Sequence, residues 1–216
     1  MELVNIYQPV TVNRRRRVLS SAELGELLPM LMLADRPHAA LFYFLLLPLA
    51  RREEAAAAHW RDVDLERKIW RIPDTKNGEP HEVPLSRQAI DLLRQWRPAE
   101  PDPDTLVFST SLGTRLGNWD RETKRIQRES GVAGWNRHDL RRTGATMLGE
   151  MGVLPDIIEA ALNHVTIRSP LAATYNRSRY RPQVAMALQR LADALDSIAA
   201  GTAPLFASAP RPPARY

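Results

Sequence analysis

Apolar residues recur at helical spacing along most of the chain. Ser20 and Glu23 form a Ser-x-x-Glu capping-box pattern ahead of an apolar run, which predicts a helix beginning at Ser20. A second helix is predicted over about residues 38–47, and it must be buried because it has almost no polar face. The stretch "RREEAAAAHW" from Arg51 predicts a third helix or a turn. Helices are also predicted over residues 86–96 and about 118–130, 138–151, 155–163, 170–178 and 180–199.

Two short β-prone segments interrupt this helical pattern. The segments "RKIWRIP" and "HEVPL" are joined by "DTKNGEP", in which Asn77-Gly78 is a strong hairpin-turn signal. A loop rich in Pro and Asp then leads to the short run "LVF". The predicted fold is therefore mainly α with a small antiparallel β-sheet, an α+β arrangement.

The composition divides the chain into three segments. Residues 1–19 are predicted to be a basic linker or arm that ends in the block Arg14 to Arg17. Residues 20–199 carry the predicted elements and form one folded domain. Residues 200–216 are rich in Pro and Ala, which predicts a tail that is flexible or docked on a partner.

The charge and the absence of certain residues narrow the class of protein. The formal net charge is +5 and the pI is near 9.9, which suits a polyanionic partner such as nucleic acid but is also common in other basic proteins. The chain has no cysteine, no uncharged run of about 18 residues and no secretory signal pattern. We therefore expect a soluble, cytoplasmic protein.

Several kinds of active site are disfavoured by residue spacing. The five histidines are scattered, and the acidic residues stand mostly among basic neighbours, so no metal-ligand pattern emerges and no metal is expected. The sequence also lacks a Gly-rich phosphate loop and a Gly-x-Ser-x-Gly elbow. What remains is a set of basic and hydrogen-bonding side chains.

The stretch "WNRHDLRRTGATM" holds the most suggestive pair. His138 and Arg141 lie three residues apart and therefore share one face of the predicted helix. An isolated His-x-x-Arg is usually only a helix surface. Here, however, Arg51 follows an apolar helix, Lys76 belongs to the hairpin connection, and both His164 and Tyr175 lie downstream in a basic setting.

In that order, these residues make the chain resemble the catalytic domain of the tyrosine recombinase, or phage integrase, family. The flanking stretches "RREE", "HWRDVDL", "TKNGEPHEVPLS" and "YNRSRY" are also similar to the family's, and the resemblance runs from about Val18 to Leu195. The resemblance implies the family fold and the following catalytic residues: Arg51, Lys76, His138, Arg141, His164 and Tyr175.

The resemblance implies that DNA strands are cleaved and rejoined without a metal or cofactor. The Tyr175 hydroxyl would attack a backbone phosphorus and form a 3′-phosphotyrosyl link. Arg51 and Arg141 would bind the two non-bridging oxygens, because planar guanidinium groups can hold such oxygens in bidentate fashion.

The remaining residues of the resemblance have roles in proton transfer and binding. Lys76 is expected to protonate the leaving 5′ oxygen, with Lys68 as the alternative lysine near the hairpin, while His138 accepts the tyrosine proton. His164 is expected to hydrogen-bond the phosphate, and Glu54 to support a neighbouring Arg or His. Tyr180 is the alternative nucleophile, although it is more readily explained as a residue that packs beneath the last helix.

The sequence also departs from the family pattern. Pro48-Leu49 stand where a Thr-Gly pair is usual, Glu53 takes a place that is often small, and Asn163 replaces a common Gly. Family members usually carry an N-terminal helical domain that closes around DNA, and no such domain precedes Met1. The chain is therefore expected to be a shortened form, a fragment or a minimal variant.

Three functions remain open at this point. The first is a site-specific recombinase of a prophage or mobile element that acts on double-stranded DNA, with a homotetramer on DNA and a monomer in solution as the expected states. The second is a catalytically silent DNA-binding remnant. The third is an unrelated helical regulator with a helix-turn-helix over "DIIEAALNHVTIRSPLAATY", in which Arg51 and Lys76 would have no role.

Overall fold

Eight α-helices and three strands make up the part of the chain that this computed structural model describes, namely residues 17–32, 36–75, 78, 80–164 and 180–202. Before the sheet lie α1 (Ser21–Met32), α2 (Pro37–Leu46), α3 (Arg52–Ala56) and a 3-10 turn (Trp60–Asp62). The strands are β1 (Val63–Asp64), β2 (Ile69–Ile72) and β3 (His81–Pro84). After them come α4 (Arg87–Trp96), α5 (Trp119–Ser130), α6 (Arg137–Glu150), α7 (Pro155–Ala161) and α8 (Arg181–Ala199).

The centre of the fold is α2, which is buried from Ala39 to Leu46. It packs against α1, α3 and α6, and the ring of Phe42 meets that of Trp135 edge-on with centroids 6.0 Å apart. The expectation that this apolar helix is buried is confirmed. None of the described helices has the length and apolar character needed to cross a membrane.

A three-stranded antiparallel sheet in the order β1-β2-β3 flanks the helices. The pairing of Trp70 with Val83 sets the register of the predicted hairpin, and both side chains are buried. The strand β1 was not expected from the sequence, since it has only two residues. The run "LVF" contributes only a single bridge, from Leu106 to His59. The predicted mainly α fold with a small antiparallel sheet is confirmed.

The first and last described helices pack against each other and close the domain. The predicted capping box begins α1: the Ser20 hydroxyl accepts from the Glu23 N–H at 3.2 Å, and the Ser20 N–H donates to the Glu23 carboxylate at 2.9 Å. The amide of Gln88 on α4 reaches Asp193 and Asp196 on α8, both at 2.8 Å. The predicted helix over 170–178 and residues 203–216 of the tail lie outside the described residues, as do residues 1–16 of the arm.

The N-terminus of α6 is fixed by a reciprocal cap. The Asn136 side chain accepts from the N–H groups of His138 and Asp139 at 2.9 and 3.1 Å, while the Asn136 N–H donates to the Asp139 carboxylate at 2.9 Å. Asp139 is fully buried and also pairs with Arg142. These bonds satisfy N–H groups that have no partner within a helix. They therefore set where the helix begins and how His138 is presented.

Asn136→Ala should lower the free energy of unfolding by about 1 kcal/mol, because the acceptor for two helix N–H groups is lost. The measurement is urea unfolding followed by circular dichroism. Asn136→Ser keeps a capping oxygen and is the matched control, which should stay close to the wild type. Equal stability of the alanine variant and the wild type would contradict this account of the cap.

Candidate active site

A cleft of about 840 Å³, lined by arginines and carboxylates, lies between α3, β2 and the N-terminus of α6. Arg51, His138 and Arg141 all line it, so the structure brings together three of the residues singled out in the sequence. Arg52 and Arg137 lie along the same cleft. An anion would find several positive side chains in this cleft.

Arg141 is a buried cation that is held mainly by backbone carbonyl groups. Its side chain projects from α6, and the residue is only 4% exposed. One terminal nitrogen donates to the carbonyl oxygen of Leu49 and the other to that of Leu162. The second nitrogen also lies 3.5 Å from His164 Nε2. The guanidinium thus joins the turn before α3 to the end of α7.

The charge of Arg141 is not neutralised by any hydrogen-bonded carboxylate among the described residues. Burial, and after it the nearby positive charge of Arg51, lowers the pKa of Arg141 to about 10. The group therefore stays protonated at neutral pH. The carboxylates of Glu54 and Glu159 act in the opposite direction, but neither forms a hydrogen bond with the guanidinium. A buried cation is costly, and an anion in the cleft would add to its stabilisation.

Arg51 lies beside this group at the start of α3. Its Nη1 donates to Glu54 Oε1 at 2.7 Å, and its backbone N–H donates to Glu54 Oε2 at 2.8 Å. Its other terminal nitrogen lies 3.5 Å from the carbonyl oxygen of Asn163. Glu54 therefore supports Arg51, as expected from the sequence.

The turn that aims Arg51 is made without glycine. Leu49 has a φ of 53°, in the left-handed region that a side chain normally disfavours, and it is fully buried. Although Pro48-Leu49 replace the family's Thr-Gly pair, Leu49 therefore has the backbone conformation that is typical of a glycine.

His138 faces the cleft from the first turn of α6. Partial desolvation lowers its pKa below the usual 6.5, and the positive charges of Arg142, Arg141 and Arg51 act in the same direction. Asp139 opposes them. His138 is consequently disposed to be neutral at physiological pH, with a ring nitrogen able to accept a proton.

His164 lies just after α7 and is held from both sides. Its Nδ1 lies 2.9 Å from a carboxylate oxygen of Glu159, and its Nε2 faces Arg141. An Nδ1–H donated to Glu159 would fix the ring orientation and leave Nε2 towards the arginine. Arg51, His138, Arg141 and His164 thus form one neighbourhood.

Two of the six predicted residues, Lys76 and Tyr175, lie outside the described residues. The alternative nucleophile Tyr180 precedes α8 and packs, partly buried, against the hydrophobic core.

Arg52 and Arg142, which follow Arg51 and Arg141 in the sequence, make contacts of a different kind. The guanidinium of Arg52 lies 5.3 Å from the centre of the Trp119 ring, and Arg142 pairs with the buried Asp139.

Sequence reasoning missed the backbone groups that position the arginines. The carbonyl oxygens of Leu49, Leu162 and Asn163 accept from them, and no residue type signals such a role. Glu159 was missed because its spacing from His164 matches no helical face pattern. The capping pair Asn136 and Asp139 could have been found, because Asn-x-x-Asp before a helix is a variant of the capping box.

The chain is similar to known integrases and recombinases. The model of the phage integrase family matches residues 17–181. Prophage integrase IntA of Escherichia coli (strain K12) is 32% identical over 165 residues, which are 75% of this chain and 40% of IntA. Tyrosine recombinase XerA of Saccharolobus solfataricus is 27% identical over 173 residues, which are 80% of this chain and 57% of XerA.

The fold has counterparts among solved structures. The lambda integrase dimer bound to a core site has a TM-score of 0.59 and 14% identity, and the match covers 74% of this chain and 62% of that one. This likeness shows the fold alone. The chain spans about two fifths of the length of IntA. Since the family model covers most of the described residues together with the arginine and histidine neighbourhood, this chain belongs to the phage integrase family.

Proposed function

We propose that this chain is the catalytic part of a site-specific DNA recombinase that acts in the integration or excision of a prophage or mobile element. The observation that carries the proposal is the buried, protonated Arg141, which lines the cleft beside Arg51 and has no hydrogen-bonded carboxylate among the described residues. A phosphodiester that becomes five-coordinate gathers negative charge on its non-bridging oxygens. Two fixed guanidinium groups are suited to that charge.

The reaction we propose exchanges one phosphate ester for another. The Tyr175 oxygen forms a bond to phosphorus while the bond from phosphorus to the 5′ oxygen breaks, which leaves a 3′-phosphotyrosyl link and a free 5′ hydroxyl. Attack by a 5′ hydroxyl reverses the step and joins strands. Because the ester keeps the bond energy, no nucleotide cofactor is required.

Protons move in the same step. We assign to His138 the acceptance of the tyrosine proton, which its lowered pKa supports. Lys76 supplies a proton to the departing 5′ oxygen. His164, oriented by Glu159, hydrogen-bonds a phosphate oxygen in the bound complex.

The partner in this proposal is double-stranded DNA. The arginines that line the cleft support this, and the solved relative named above is bound to a core site. A tetramer on DNA, a monomer in solution and a cytoplasmic location remain predictions from the sequence.

Tyr175→Phe should abolish covalent capture of DNA and leave DNA binding intact, because only the nucleophilic oxygen is removed. Purified protein is mixed with a pool of nicked duplexes, and denaturation-resistant adducts are counted on a gel. Tyr180→Phe is the matched control and should form adducts like the wild type.

Equal adduct formation by Tyr175→Phe and the wild type would refute the assignment of the nucleophile. DNA binding without any adduct by the wild type, with a steep dependence on salt, would instead indicate the catalytically silent DNA-binding alternative.

Arg141→Lys should slow adduct formation at saturating DNA by a factor on the order of 10²–10³, because an ammonium cannot bind two carbonyl groups and a phosphate in one plane. Single-turnover rates provide the measurement. Arg125→Lys is the control, because its exposed side chain on α5 pairs with Glu129 outside the cleft. This control should change the rate little. Equal effects of the two changes would contradict a special role for Arg141.

His138 should titrate below its ordinary pKa of 6.5 in a nuclear magnetic resonance titration. Because the unfolded state then takes up the proton more readily, the stability due to His138 is present above about 6.5 and is lost as the pH falls through the folded pKa. Arg142→Gln should raise the midpoint by removing a nearby positive charge. Arg121→Gln, an exposed change on α5, is the control. An unchanged midpoint in Arg142→Gln would contradict this electrostatic account.

A further inference from the structure

The side chain of Leu49 and the helix that carries Arg141 meet at Gly144. A Cβ atom added to Gly144 would lie 2.4 Å from Leu49 Cδ2, which is closer than such atoms approach in proteins. It would also lie 3.3 Å from Leu191 Cδ2 and 3.6 Å from the Leu46 carbonyl oxygen. Glycine is unfavourable inside a helix. Its presence in the middle of α6 is explained by the space that Leu49 occupies.

Leu49 also contacts Arg141 through its backbone. Its carbonyl oxygen accepts from Arg141 Nη1, and its left-handed backbone conformation directs that carbonyl. Side chain and carbonyl belong to one fully buried residue, so a push on the side chain is transmitted to the carbonyl. Two residues later the same turn delivers Arg51 to the cleft.

We propose that Leu49 and Gly144 are a size-matched pair of positioning residues that fixes the Arg141 guanidinium relative to Arg51. The left-handed turn alone could be made by glycine, but glycine would leave its backbone free to rotate. A leucine locked over Gly144 holds the turn in one orientation. The consequence for catalysis rests on the proposed recombinase function, whereas the consequence for the position of Arg141 does not.

The alternative is that the pair only fills space in the core. Leu191 on α8 and the Leu46 carbonyl complete the surroundings of Gly144, so a methyl group there has no free direction. A space-filling role predicts a loss of stability alone. A positioning role predicts a change at the Arg141 guanidinium in molecules that remain folded.

The first experiment observes that guanidinium directly and needs no DNA. Protein containing isotopically labelled arginine is studied by nuclear magnetic resonance, and the Arg141 side-chain signals are assigned with Arg141→Lys. Gly144→Ala should shift or broaden these signals. Leu49→Ala/Gly144→Ala should restore them, because alanine keeps a side chain at the left-handed position but removes the atoms that collide.

The second experiment measures single-turnover adduct formation at saturating DNA for the same variants. Gly144→Ala should lose a factor on the order of 10², since small displacements of catalytic groups have effects of that size. The double variant should recover at least about tenfold of the loss, as expected for coupled neighbours. Gly149→Ala is the matched control on α6, because its added Cβ meets only Ile158 Cδ1 at 3.9 Å.

Each result of the two experiments supports or overturns the proposed role of Leu49 and Gly144. Arg141 signals that stay unchanged in a folded Gly144→Ala protein would overturn the proposal, as would a folded double variant in which the Arg141 signals are not restored. If the wild type forms no adduct, the proposed function fails. The arginine signals still test the pair in that case. Restored signals together with a restored rate would support both.

Discussion

The site depends on one buried guanidinium that bridges two distant parts of the backbone. Arg141 binds the carbonyl oxygens of Leu49 and Leu162, so one side chain ties the turn before α3 to the end of α7. Removing an ion from water costs several kcal/mol unless its hydrogen-bonding groups are satisfied. Two carbonyl dipoles satisfy the geometry but leave the net charge. The carboxylates of Glu54 and Glu159 offset some of this charge without a hydrogen bond to the guanidinium, so an anion in the cleft would stabilise it further.

The distribution of charge along α6 follows from this. Asp139 is buried at the first turn, where a carboxylate can cap N–H groups and favour the positive end of the helix dipole, and Arg142 pairs with it. Arg141, one residue earlier than Arg142, points elsewhere and has no such carboxylate among the described residues. Arg141 and Arg142 thus have different partners, because consecutive side chains of an α-helix project in different directions. One stabilises the helix and the other remains available to an anion.

The sequence predicted the helices, and the proximity of four basic side chains, better than it predicted the groups that hold those side chains in place. Periodicity located α2 and α6, and the ordered basic residues identified Arg51, His138, Arg141 and His164 as neighbours. The carbonyl acceptors could not be predicted, because every residue has a carbonyl and only the fold selects which one faces an arginine. The two-residue strand β1 was missed for a related reason, since its pairing depends on β2 and not on its own composition.

The segment that precedes α1 is also hydrogen-bonded to α6. The Leu19 N–H donates to the Thr143 hydroxyl at 3.0 Å, and that hydroxyl donates to the Asp139 carbonyl oxygen at 2.8 Å. Arg142 reaches the Arg17 carbonyl oxygen at 3.3 Å. The two residues of α6 that make these bonds, Thr143 and Arg142, are within two residues of Arg141 in the sequence. Because these bonds are made to α6, the direction of the entering segment and the placement of Arg141 are set by the same helix. The hydrophobic contact at Gly144 fixes one side of this helix, and the polar contacts of the arm fix another.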